Sequence, residues 1–271
     1  LWLALPLLSS LVALDTFACP TCVGPRLGDS GTGELQAHAS FRSAIGTDHA
    51  GSGPERLEWS NELTAGAAWS RFELELQLPL LTRFIAGDSY IGLADLGARG
   101  SAELYRHEEP DASDTVRLGL GLGLPTSRGA QRWLTALGTQ SVTPSLAIGW
   151  RHSDQEWALT GVAYGGWPIA LPDAAVVFGP FVALSSAAEY QPLRWLTVRL
   201  AVDLKQQWAA RESGAVVPQS QFFAVFLAPE ARLRASRWFS ASLGASLPIA
   251  SVSPGQYVHG FVYRLGLELT I

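Results

Sequence analysis

The sequence predicts an all-β protein: a single up-and-down antiparallel transmembrane β-barrel of about twelve strands. Three observations predict it. Apolar residues recur at every second position in segment after segment, from Leu35 to the last residue. The joins between these segments are short at one end and long at the other. Charged residues make up 16% of the chain, against roughly 25% in average soluble usage, and the shortage is spread along its length.

The final segment shows the pattern most plainly. Phe261, Tyr263, Leu265, Leu267, Leu269 and Ile271 alternate with Val262, Arg264, Gly266, Glu268 and Thr270. A period of two puts the first set on one face of a strand and the second on the other. After residue 18 no run of about 20 apolar residues exists, so helical spans are excluded as the organising element. Net charge is −5, which gives no electrostatic support for nucleic-acid binding.

In chain order the predicted strands are 35–44, 57–69, 72–80, 91–106, 115–124, 142–151, 156–167, 177–190, 196–204, 222–234, 239–248 and the closing segment. The third is the cleanest: Phe72, Leu74, Leu76, Leu78 and Leu80 alternate with Glu73, Glu75 and Gln77. The ninth sets Leu196, Val198, Leu200, Val202 and Leu204 against Arg199 and Asp203. Proline closes several strands at the long-loop end, as in Leu78-Pro79, Leu124-Pro125, Trp167-Pro168 and Leu247-Pro248. It removes a ladder donor where pairing stops.

Short joins are expected at Ser70-Arg71, Ser153-Asp154, 191–195 and 235–237, with an intermediate one at 107–114. Long loops are expected at 45–56, 81–90, 125–141, 168–176, 206–220 and 249–256. A turn at Ser70-Arg71 sets Trp69 opposite Phe72. A turn at Ser153-Asp154 sets Trp150 opposite Trp157 and Arg151 opposite Glu156. Aromatic side chains then gather at the short-turn end as an interfacial girdle, with Tyr190 and Phe239 continuing it.

Residues 1–18 read as a secretory signal whose own start is missing: an apolar stretch, then Asp15-Thr16-Phe17-Ala18. Residues 19–34 form a periplasmic segment that opens with Cys19-Pro20-Thr21-Cys22, and the barrel occupies 35–271. Cys19 and Cys22 are candidates for a local disulfide in an exported chain. Haem attachment needs a His after the second Cys, where Val23 stands, and a zinc site needs more ligands than are near. No cofactor or metal is expected.

Three stretches resemble a known family. Glu75-Leu76-Gln77-Leu78-Pro79-Leu80, Ile91-Gly92-Leu93-Ala94-Asp95-Leu96 and Gly121-Leu122-Gly123-Leu124-Pro125-Thr126 are similar to a pattern in bacterial outer-membrane transporter barrels. These are grouped with the porins of phenol meta-degradation pathways. That family has Gly-Leu-Gly-Asp where this chain has Gly92-Leu93-Ala94-Asp95, and often a Gly where Ser127 stands. The resemblance covers residues 57–130 and implies passage of small, hydrophobic solutes. It carries over no binding residue.

The candidate pore-lining residues are the charges on the polar strand faces. Glu58, Glu62, Glu73, Glu75 and Glu103 come from the early strands; Arg117, Arg151, Arg199 and Arg264, with Arg42, come from the others. Two arrangements fit: an acidic wall facing a basic one across water, or direct pairs that fill the lumen. The expected partners are outer-membrane lipid and a small-molecule solute, in the bacterial outer membrane. The first function expected is a channel or transporter. A scaffold holding a periplasmic or extracellular protein partner is the alternative. A lipid-hydrolysing enzyme comes last, because His152, Ser153 and Asp154 are chain neighbours and cannot make a nucleophile–base–orienter relay.

Overall fold

The computed structural model describes residues 36–50, 55–126, 137–138, 140–172, 174–252 and 257–270. The signal segment, Cys19 and Cys22 lie outside the described residues. Alternation of small or polar with large apolar residues drives the chain into long strands: β1 (Gln36–Ala50), β2 (Glu55–Trp69), β3 (Phe72–Ile85), β4 (Asp88–Leu93), β5 (Leu96–Glu108) and β6 (Ala112–Leu124). Then follow β7 (Ser141–Asp154), β8 (Trp157–Gly166), β9 (Ile169–Ala170), β10 (Val176–Val177), β11 (Phe181–Leu193) and β12 (Leu196–Gln207). The last are β13 (Ala210–Glu212), β14 (Ala215–Val217), β15 (Phe222–Arg234), β16 (Phe239–Val252) and β17 (Tyr257–Thr270).

The barrel is closed and antiparallel, with 12 strands. Each barrel strand pairs with the next in sequence, and β4 and β5 together make the fourth. Closure comes from β17 against β1, in a register that sets Phe41 opposite Leu267 and His38 opposite Thr270. Both edges disappear, so no ladder is left to recruit another chain. A separate sheet of β10, β13 and β14 stands at the long-loop end.

The exterior is apolar along every barrel strand. Leu63, Leu74, Leu76, Leu120, Leu146, Leu200 and Leu243 are all about half exposed or more, as are Leu184 and Phe261. A soluble monomer does not carry so continuous an apolar surface. Lipid stabilises it, and the protein is an outer-membrane barrel by this fold. Among the described residues no helix is long and apolar enough to cross a membrane. The aromatic girdle forms at the short-turn end: Trp69 lies 6.0 Å from Phe72, and Trp157 stacks on Tyr190 at 4.4 Å between centroids.

Three details differ from the sequence expectation. The turn after β7 uses Gln155-Glu156, not Ser153-Asp154, so Trp150 faces Gly161 and Arg151 faces Thr160. The Asp154 carboxylate accepts hydrogen bonds from the Glu156 and Trp157 N–H groups, at 3.0 and 2.6 Å, and this Asx turn fixes the register two residues later. The stretch 81–90 is not a long loop. β3 runs to Ile85 and reverses through Ala86 and Gly87, whose φ values of 52° and 93° make the tight mirror-image turn that suits strand twist. Likewise β1 and β2 extend well into the expected 45–56 loop, pairing as far as His49 with Glu55.

Candidate lumen site

Strand alternation sends the charges inward. Glu73 and Glu75 are buried between the exposed Phe72, Leu74 and Leu76 on the same strand. Glu58, Glu103 and Arg117 are also buried on inward faces, while Glu62, Arg151, Arg199 and Arg264 are half-buried there. All nine predicted residues therefore share the interior.

They do not form an acidic wall facing a basic one; that arrangement is overturned by direct pairing. The register places opposite charges directly across from one another on neighbouring strands: Arg42 with Glu62, Glu58 with Arg83, Glu75 with Arg99, Glu103 with Arg117, Glu189 with Arg199, and Arg199 with Glu230. Cross-strand neighbours of opposite sign attract within the sheet itself, before anything crosses the lumen. Arg83 and Glu58 form an ion pair, as do Arg99 and Glu75, all four buried.

Two ribbons of charge result. On β1 to β6, His38 Nε2 meets Glu75 Oε1 at 3.1 Å while the Glu75 Oε2 takes Arg99. Glu73 Oε2 lies 3.3 Å from Arg117 Nη1 and accepts from Ser101 Oγ at 3.4 Å. Glu103 pairs with Arg106 at 2.6 Å. On β7 to β15 the signs alternate. Arg151 meets Glu189 at 3.2 Å, Glu189 meets Arg199 at 3.6 Å, Arg199 meets Glu230 at 3.9 Å, and Glu230 meets Arg232 at 3.5 Å. Arg151 does not reach Glu156; moving the turn by two residues shifts its β8 partner by four, to Thr160, and its side chain meets Glu189, which stands opposite the small Ala158. Arg264 donates to Ser246 Oγ at 2.6 Å.

Small residues make room for these long side chains. A Cβ on Gly66 would lie 2.6 Å from the His38 ring and 2.8 Å from the Leu74 carbonyl oxygen. Ala187, Ala201 and Ala228 sit side by side on β11, β12 and β15, one inward step from the alternating ribbon. Towards the long-loop end buried apolar side chains, Leu81, Ile85, Phe181, Phe222 and Phe226, point inward alongside the buried Arg56 and the Glu58–Arg83 pair. Tyr164 meets Phe181 edge-on at 6.2 Å, and the Lys205 ammonium lies 5.6 Å from the Phe222 ring centre.

Sequence reasoning missed His38, Arg83, Arg99, Glu189 and Glu230. Arg83 was lost because 81–90 was read as loop. Arg99 and Glu189 lie on predicted strands, and the signal that finds them is register: each stands opposite a charge already singled out. His38, Glu73 and Glu75 bring three donor atoms within 4.8 Å of one another, a set that could hold a cation. Arg99 and Arg117 already neutralise the two carboxylates, so the cluster is complete as an ion-pair network.

The chain neighbours His152, Ser153 and Asp154 are separated by the strand. His152 shares the outward face of β7 with Trp150, and its Nδ1 lies 3.2 Å from Asp114 Oδ1. Ser153 points to the other face, with its Oγ 2.8 Å from that of Ser113. The three stretches that carry the family resemblance do come together. The Ala94 N–H donates to Pro79 O at 2.9 Å, and Thr126 Oγ1 donates to Ala94 O. The break between β4 and β5 is built at that junction.

No protein-family model matches the chain, and no curated protein matches it. Solved structures do. An outer membrane channel from Pseudomonas putida F1 superposes with a TM-score of 0.73 at 14% identity, covering 90% of this chain and 98% of that one. The KdgM porin gives 0.45 at 8% identity, over 86% of this chain and 98% of its own. The NanC porin gives 0.46 at 9%, over 87% and 99%. The first likeness shows the fold: this chain has the architecture of an outer-membrane β-barrel. The two porins are too distant to add to it.

Proposed function

We propose that this barrel is a channel for small, hydrophobic solutes across the outer membrane. The observation that carries the reading is the division of its inner face. Ion-paired ribbons dominate the short-turn half, while at the long-loop end Phe181, Phe222, Phe226, Leu81 and Ile85 point inward beside the paired Glu58 and Arg83. A pore for hydrophilic solutes has a polar interior throughout. Apolar side chains beside a neutralised ion pair at the mouth, above charged ribbons, favour a molecule with a hydrophobic body and a small polar group. The resemblance of 57–130 to the porins of phenol meta-degradation pathways supports the same solute class.

Single-channel recording in planar bilayers tests it. The expected result is small, steady conductance steps interrupted by a small aromatic solute such as phenol. Phe226→Asn should keep the steps and lose the interruptions. Large steps indifferent to phenol would overturn the reading, and an electrically silent barrel would favour a scaffold.

A further inference from the structure

We infer that the neighbouring short turns β11–β12 and β15–β16 form a binding site for an anionic phospholipid of the periplasmic leaflet. The inference is independent of what passes through the lumen. Both turns carry the same dipeptide, Arg194-Trp195 and Arg237-Trp238. The strands they join are adjacent in the barrel. The Arg234 N–H donates to the Trp195 carbonyl at 2.8 Å, which ties one turn to the other.

Each dipeptide is held in place. Gln191 Nε2 donates to the Arg194 carbonyl at 3.2 Å. Ser236 Oγ accepts from the Trp238 and Phe239 N–H groups at 3.2 and 3.1 Å. The Arg237 guanidinium stacks on the Trp238 ring, 4.3 Å from its centre. Trp195 and Trp238 are half exposed, and just inside them Leu193, Val198, Leu233 and Phe239 present an apolar strip to lipid.

Charge complementarity names the occupant. Residues 190–198 and 231–239 contain no acidic side chain. The next turn round the same rim, between β7 and β8, is acidic with Asp154 and Glu156, and the one beyond it carries Glu108, Glu109 and Asp111. The arginines therefore do not serve a uniformly basic rim. Tryptophan settles at the headgroup level, guanidinium groups take phosphate oxygens in a forked pair of hydrogen bonds, and the apolar strip receives acyl chains. A lipid phosphate carrying net negative charge satisfies all three; a zwitterionic headgroup meets the cations with no net attraction.

Native mass spectrometry of the full-length barrel, released from nanodiscs of mixed phosphatidylglycerol and phosphatidylcholine, tests the site. The wild type should retain phosphatidylglycerol preferentially. Loss of one basic residue near a membrane surface weakens anionic lipid binding by about fivefold. Arg194→Gln with Arg237→Gln should therefore erase the preference, while Arg71→Gln at a separate turn should keep it. Heat-modifiable migration on gels confirms that each variant is folded. Inorganic phosphate at millimolar excess should not displace the lipid, because it lacks the chains. No preference in the wild type, an unchanged preference in the double variant, or displacement by free phosphate would each overturn the inference.

Discussion

His38 on β1 and Glu75 on β3 stand on strands that are not neighbours, yet their side chains meet at 3.1 Å. They meet because the residue between them, on β2, is Gly66. A Cβ there would sit 2.6 Å from the imidazole and 2.8 Å from the Leu74 carbonyl, nearer than real Cβ atoms come. Gly66→Ala should therefore push His38 off the carboxylate and cost about 1–3 kcal/mol, the usual penalty of an overfilled interior. Gly161→Ala, whose Cβ would lie 3.9 Å from Trp150, should be nearly neutral. Urea unfolding of the two variants in lipid vesicles measures the difference, and equal midpoints would refute the bridging role of Gly66.

Pairing of the inner charges reverses what isolated charges would do. With unpaired walls, neutralising Glu73 and Glu75 would change ion selectivity and leave stability alone. Instead Glu75 is buried and holds both Arg99 and His38, so Glu75→Gln leaves a buried guanidinium without its counter-charge. Breaking a buried pair in this way costs about 3–5 kcal/mol. Arg99→Gln added to Glu75→Gln should recover much of that loss, because the stranded charge goes with it. A double-mutant cycle on vesicle-folded protein reads this coupling, and simple additivity of the two single losses would show that the pair is not energetically linked.

Most of the fold was legible because period-two alternation runs through most of each barrel strand, broken only locally at bulges such as that between Glu103 and Tyr105. Leu74, Leu76 and Leu200 point outward and Glu73, Glu75 and Arg117 inward, as the alternation alone requires. The site was legible as a set of inward charges but not as pairs. Pairing depends on register, and register depends on turns that sequence places only to within a residue or two. Asp154 shows the physical reason: its side chain accepts two backbone N–H bonds from the residues after it, so it ends β7 and does not occupy the turn. That shift alone moves Arg151 from Glu156 to Glu189. The Ala86-Gly87 reversal hid Arg83 in the same way.

The exterior supplies a test of the solvent. Leu76 is 54% exposed on β3. In water, replacing a half-exposed Leu by Arg changes stability by about 0.5 kcal/mol or less in either direction. On the lipid face near mid-depth the same change costs about 2–4 kcal/mol. Leu76→Arg should therefore slow and weaken folding into bilayers, while Leu76→Ala should be tolerated far better. The fraction folded after dilution from urea into vesicles separates the two, and full folding of Leu76→Arg would be incompatible with a lipid-facing β3.

Orientation follows from the turns. Short turns face the periplasm in barrels of this kind and long connections face outward. Gln155 lies in a two-residue turn between β7 and β8, whereas Ser213 lies at the Ser213-Gly214 reversal of the small sheet at the long-loop end. With Cys19 and Cys22 first replaced by serine, a single cysteine at Ser213 should react with a membrane-impermeant maleimide in intact cells. A single cysteine at Gln155 should react only after the outer membrane is opened. The Arg194-Trp195 and Arg237-Trp238 turns stand at the same end as Gln155, so this labelling also fixes which leaflet they meet. Reaction at Gln155 but not at Ser213 in intact cells would invert the barrel and move the phospholipid site to the outer leaflet, where the inference fails.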